Sequence, residues 1–380
     1  MKQGIVLSLL LVIMNLQALA CQVPVFRYAL ERWTSDAYQV SVLHEGALLG
    51  EAAEALQQLR EAASDTSLNV QLVAVHDLAN MTEEESWLIE PGTMPLPQIQ
   101  VRYPLGAKVT KLLWRAPLTQ AEVTKVLDSP IRERVRSNIV SGASAAWVLI
   151  ETGEDEAQNQ AALASLTEHL QVLEEELTLP EGVIGNEAFA AGTVDATVPG
   201  FEMDNVLRST IPLQIQFPIV RLRAGDDKEA FFRAMLLGSV PYLDGDQLKE
   251  PVAVPVFGRG RMMHGLPASR LTLETLKTAC TYLCGACSCQ VKEQKPGIDL
   301  LMRAQWEDLL QGQLMIRERA LPPLAGVGDL QTNPSVELAA SEPSRQPSDH
   351  LRSTLLFALG GVLILIAVAS GVLFLRTRRS

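Results

Sequence analysis

Residues Ala145–Glu151 read AAWVLIE, an unbroken apolar run with the length and β-branched character of a buried strand. Glu154–Leu177 follows as a long helix. It carries Leu163, Leu166, Leu170, Leu173 and Leu177 at offsets of 3, 7, 10 and 14, which places them down one face. This stretch decides the fold, because the order of elements that precedes it begins again here.

Upstream, Gln22–Trp33 carries Val25, Tyr28, Ala29 and Arg32 at helical spacing and is expected to pack as a short helix on the elements next in the chain. An alternating strand at Tyr38–Val42 leads to a helix over Gly50–Ala63 and a buried strand at Leu68–His76. A short acidic helix is expected at Thr82–Ile89. A hairpin then pairs Gln98–Tyr103 with Lys108–Arg115 across a turn at Pro104–Ala107. Thr119 caps a helix from Gln120 to Leu127, and Pro130 opens another to Val140. The order is β-α-β-α-β-β-α.

After Ser141-Gly142 it repeats. A loop of some thirty residues, Leu179–Thr210, interrupts the second round, and a loop of that length is uncommon without a purpose. Leu213–Arg223 resumes as a strand kinked at Pro218, and Asp226 and Asp227 cap a helix through Leu237. Val252–Phe257 and Met262–Gly265 flank Gly258-Arg-Gly-Arg261 as a hairpin, and Thr272 caps the last helix.

This order resembles the thioredoxin-like fold over Tyr38–Cys289: an α/β protein of two tandem βαβαββα halves. The resemblance implies a cis-proline just before each hairpin, where Pro95 and Pro97, then Pro251 and Pro255, stand. It does not bring the redox motif. In thioredoxins a CxxC pair lies where the first strand meets its helix, and the helix dipole lowers a thiol pKa there. Here those junctions, from His44 and from Thr152, hold no cysteine.

The cysteines are elsewhere. Cys280, Cys284, Cys287 and Cys289, four of the five in the chain, fall within ten residues (CTYLCGACSC). Four readings stay open: buried packing on a helix face, structural disulfides, a thiol redox centre, and a thiolate site for Zn or Cu(I). Export favours disulfides. Cys284-Gly-Ala-Cys287 has CxxC spacing, which leaves Cys280 and Cys289 to pair with each other or with Cys21. A redox role is opposed by position, since a helix C-terminus disfavours a thiolate. A soft metal would draw on all four thiols, with Met262, Met263 and His264 as further ligands. The C-x3-C-x2-C spacing also matches that of radical-SAM enzymes, but no strand–helix barrel follows it. Arg259 and Arg261 form a weak candidate anion site; the plainer reading is a hairpin turn with two solvated arginines.

The ends of the chain set its location. Lys2, the apolar run Ile5–Met14 and Ala18-Leu19-Ala20 make residues 1–20 an export signal. Cys21 follows, at the position of the lipid-modified cysteine in bacterial lipoproteins. Thr354–Leu375 is uncharged and about 33 Å long as a helix, enough to span a bilayer. Arg376, Arg378 and Arg379 hold the tail on the cytoplasmic side. The expected organisation is a first domain over residues 21–141, a second over 142–320, a disordered linker over 321–352, a transmembrane helix over 353–376 and a tail at 377–380. Ala367 and Gly371 are spaced for a weak helix–helix dimer.

A net charge of −12 argues against nucleic acid as a partner. No GxSxG, phosphate loop, HExxH or EF-hand occurs, and His44, His76, His169 and His350 show no ligand or triad spacing. The reading leans away from an enzyme. Cys21–Trp33 (CQVPVFRYALERW) and Val256–Leu300, with VFGRGR and CGACSCQVKEQKPGIDL, resemble a family of exported, membrane-anchored bacterial proteins. That resemblance brings no activity with it and implies an envelope or transport-complex partner.

Overall fold

The computed structural model describes residues 21–80, 94–153, 155–195, 201–238 and 248–311. The expected export signal, the helix at 82–89, the linker, the transmembrane helix and the tail lie outside them. Among the described residues no helix is long and apolar enough to cross a membrane. By internal contacts the chain divides into Met1–Glu318 and Arg319–Ser380, and all described residues belong to the first unit.

Helix α1 (Val25–Arg32) precedes strand β1 (Tyr38–His44), helix α2 (Glu51–Ser64) and strand β2 (Val70–Asp77). Strands β3 (Gln98–Arg102) and β4 (Leu112–Pro117) follow, then helices α3 (Gln120–Leu127) and α4 (Pro130–Val140). The second series is β5 (Ala146–Ile150), α5 (Glu156–Glu176), α6 (Asn186–Ala190), β6 (Ile219–Leu222) and α7 (Ala230–Gly238). It ends with β7 (Val252–Phe257), β8 (Arg261–Met262), β9 (Leu266–Pro267), α8 (Leu273–Cys284), α9 (Cys289–Gln294), β10 (Ile298–Asp299) and α10 (Trp306–Gln311).

The fold is mixed α/β with two sheets. The first has the order β2-β1-β3-β4, the second β10-β8-β7-β5-β6 with β9 on β7. In each, the first two strands are parallel and the following pairs antiparallel. Among the described residues Leu96–Pro97, just before β3, is the only cis peptide bond, so the second hairpin has no counterpart.

Side-chain alternation on β5 and β7 separates two core clusters. Val148, Ile150, Val252, Val254 and Val256 face a core shared with Val40, Val42, Ile99 and Val101 of the first sheet, with Leu56 and Leu59 of α2 and with Phe231 and Phe232 of α7. Trp147, Leu149, Ala253 and Phe257 point the other way, toward Leu166, Leu170 and Leu173 of α5 and Leu276, Cys280 and Leu283 of α8. The period of two in a fully buried strand feeds both faces at once. Thr119, Ser129, Asp155 and Thr272 each cap the helix they precede by accepting a backbone N–H.

Three expectations change. Helix α1 packs mainly on the second sheet, not on the strand next to it in sequence: Val25, Phe26, Ala29 and Trp33 belong to that sheet's outer core, and Leu30 joins the core that holds Tyr38, Val40 and Val42 of β1. The strand expected over Leu213–Arg223 pairs only at Ile219–Leu222, because before Pro218 the chain bonds to the Ser144 hydroxyl and Ser144 N–H instead. Strand β4 begins at Leu112, since Leu105–Ala107 forms a 3-10 turn closed by Lys108 in the left-handed region.

Candidate functional site

The residues singled out in three distant stretches of sequence meet in one place. Segment 22–25 runs antiparallel to segment 285–287, bridged at Pro24 and Ala286. Val25 N–H donates to the Gly285 carbonyl and Cys287 N–H to the Val23 carbonyl, both at 3.0 Å. The VFGRGR hairpin closes the knot from the side. Arg259 Nε donates to the Leu30 carbonyl at 2.9 Å, and Gly258 passes against Ala29 so closely that a Cβ there would lie 2.7 Å from the Ala29 Cβ.

The long loop has its purpose here. Glu31 forms an ion pair with Arg27 at 2.8 Å, both side chains almost fully buried, and accepts the backbone N–H groups of Arg208 and Ser209. Arg27 in turn donates to the carbonyls of Ser209 and Ile211. Burial lowers the Arg27 pKa, opposed by the Glu31 charge. Arg32 donates to the Val206 carbonyl, and Gln22 N–H to Asn205 Oδ1. Lys292 pairs with Asp204, and its ammonium and the Arg32 guanidinium each lie 4.8 Å from the Tyr28 ring centroid. Residues 204–211 are thus clamped onto α1 by side chains that the sequence displays only as a helix of mixed polarity.

Arg259 and Arg261 are not solvated, and neither presents an open guanidinium to an anion. Arg261 donates to the carbonyls of Lys295, Pro296 and Gly297 and pairs with Asp299. Arg259 pairs with Glu307. Burial raises the Asp299 carboxyl pKa, and the Arg261 charge works against it.

The cysteine cluster separates into three surroundings. Cys21, Cys280, Cys284 and Cys287 are buried and Cys289 is exposed. Cys280 and Cys284 lie on α8 in the second sheet's outer core. Burial pushes the Cys280 thiol far up, with Cys284 adding to it, and pushes Cys284 up to about 11. Helix α8 ends at Gly285, so Cys287 does not continue it. Cys287 is buried at the edge of the same core, where its N–H meets the Val23 carbonyl of the N-terminal segment. Burial pushes its thiol up to about 12, and the Cys21 thiol is the foremost charge acting on it. Cys289 is exposed and opens α9 after the Ser288 cap. Cys21, expected as a lipidation candidate, is buried with Val23 and Leu207, and its sulfur lies 3.5 Å from the Asp204 carbonyl.

No protein-family model matches the chain, and no curated protein matches it.

The further donors expected for a soft metal are spread apart. Met262 faces the core on the opposite side of the second sheet from the cysteines, Met263 packs at the rim of theirs, and His264 is exposed. Among the described residues no three His, Cys, Asp or Glu side chains come together as a site. Zn and Cu ions favour convergent thiolates, whereas burial raises the thiol pKa of Cys280, Cys284 and Cys287. The arrangement is chemically suited to packing and cross-linking, and poorly suited to nucleophilic thiolate work.

Proposed function

We propose that this chain is a membrane-tethered, extracytoplasmic binding or assembly protein of the bacterial envelope, with a body of two thioredoxin-like halves and cysteines that serve structure. The sequence of residues 1–20, read as an export signal, and the uncharged apolar run Thr354–Leu375 support the location. The strand order, first strand central and parallel to the second, then antiparallel to the third, supports the thioredoxin-like reading of each half. The family resemblance of Cys21–Trp33 and Val256–Leu300 supports an envelope or transport-complex partner.

The observation that carries the structural role is the burial of Cys280, Cys284 and Cys287, with thiol pKa values raised by desolvation. The junctions after β1 and β5, where thioredoxins keep their redox pair, hold His44-Glu45-Gly46 and Thr152-Gly153. The alternative reading, thiol-redox or soft-metal handling through Cys280–Cys289, retains only Cys289 at the surface.

The two readings separate in one experiment. The reduced, folded protein is mixed with an aromatic disulfide at neutral pH and the released thiolate is followed. The structural role predicts rapid exchange at Cys289 alone, with the buried thiols reacting only on unfolding. Rapid exchange of a second and third thiol, followed by their reversible pairing, would overturn it.

A further inference from the structure

We propose that Cys21 and Cys287 are partners in a disulfide that ties the start of the body to the segment after its last long helix. The pairing deepens the structural reading of the cysteines above and departs from the CxxC pairing that the sequence spacing suggests.

The short ladder sets the geometry. Pro24 and Ala286 face each other as a close, non-hydrogen-bonded pair, because the flanking bonds run from Val25 N–H to Gly285 and from Cys287 N–H to Val23. Side chains alternate along each segment, so Cys21, Val23 and Cys287 lie on one side of it. Cys21 is then diagonal to Cys287. Diagonal neighbours in a regular ladder stand about 7–8 Å apart at Cα, just beyond the range of about 4.4–6.8 Å that a disulfide spans. The ladder has ended at that point, since Pro24–Ala286 is an isolated bridge and Ser288 already caps α9, and Cys21 is free of the strand spacing. Both residues are buried, and the Cys21 thiol lies near enough to raise the pKa of the Cys287 thiol, after burial the largest cause.

The other candidates are placed worse. Cys289 is exposed and belongs to α9, past the ladder. Cys280 and Cys284 lie within α8, before the ladder; Cys287 belongs to the same outer core but alone of the three bonds to the N-terminal segment, through its N–H to the carbonyl of Val23, which packs with Cys21. The step is thiol–disulfide exchange. One thiolate attacks a disulfide of an oxidant protein or small molecule, and the second displaces that oxidant. The Cys21–Cys287 S–S bond forms as two S–H bonds are lost, and the two electrons and two protons leave on the oxidant as a dithiol.

The test is a non-reducing peptide map of the full-length protein made in an oxidising compartment, alkylated under denaturing conditions before trypsin. The expected result is the peptide ending at Arg27 joined to the peptide Thr278–Lys292. The link is expected to vanish in Cys21→Ser and Cys287→Ser and to persist in Cys284→Ser and Cys289→Ser. An alkylated or lipid-bearing Cys21, or a link that survives Cys287→Ser, would overturn the pairing. If Cys21 and Cys287 are free yet inert in the folded protein, the pairing fails and the structural role stands. A Cys284–Cys287 bond that opens and closes reversibly would remove both.

Discussion

Arg261 Nη1 lies 2.8 Å from Asp299 Oδ2, with the two side chains 7% and 3% exposed. The pair joins the turn of the glycine–arginine hairpin to β10, and the guanidinium also stands 5.4 Å from the Trp33 ring centroid of the N-terminal segment. One buried ion pair therefore touches all three stretches of the knot. Breaking such a pair from one side leaves a buried charge uncompensated, which costs about 3–5 kcal/mol. Asp299→Ala is expected to show a loss of that size in urea unfolding, and Arg261→Met combined with Asp299→Leu a smaller one.

Gly258 has φ +59° and its missing Cβ leaves room for Ala29. Gly258→Ala adds a left-handed alanine and a clash between hairpin and α1. The two together are expected to cost about 2–4 kcal/mol. Ala29→Gly in the same chain should recover the steric part only, which a double-mutant comparison of unfolding midpoints reads directly.

The Lys292–Asp204 contact predicts an acid limb. The hydrogen bond from Lys292 holds the Asp204 carboxyl below its ordinary value of 3.8. A depressed folded pKa means that the unfolded chain binds the proton first. The contribution is complete above that ordinary value and is lost as pH falls through the lower, folded one. Asp204→Asn is expected to remove that contribution at neutral pH, a small loss because Asp204 is half exposed, and so to flatten the fall of stability below about pH 4.

Gln100, in the middle of the first sheet, is 1% exposed, and among the described residues neither its amide nitrogen nor its amide oxygen has a hydrogen-bond partner. An unmatched buried amide costs about 1–3 kcal/mol. Gln100→Leu should therefore raise the unfolding midpoint; a lower midpoint would mean that the amide is engaged in solution.

How far the sequence alone reaches can be seen in particular residues. Apolar alternation and capping residues place β5, α5, α3 and α4, because burial and caps are local properties. The Leu213–Phe217 alternation misleads, since period two reports which side chains are buried and not which backbone groups pair. Leu213, Ile215 and Phe217 pack on the outer core without a ladder. Within the cluster, C-x2-C spacing points to Cys284 and Cys287, but Gly285 ends the helix between them, and the Cys287 N–H bonds to the Val23 carbonyl instead of continuing the helix. The partner of α1 is illegible for a related reason: its contacts come from residues about 180 to 260 positions away, and no local pattern encodes them. The same applies to Arg259 and Arg261, whose glycine-rich setting reads as an exposed turn.

Residues 21–33 are thus an integral part of the second half of the body. Native-state hydrogen exchange of the α1 amides tests this most directly, for example Tyr28, bonded to the Pro24 carbonyl, and Trp33, bonded to that of Ala29. They are expected to exchange only with the same global opening that releases Trp147–Ile150 of β5. Rapid exchange in α1 while β5 stays protected would contradict it, and would make the N-terminal segment a detachable arm.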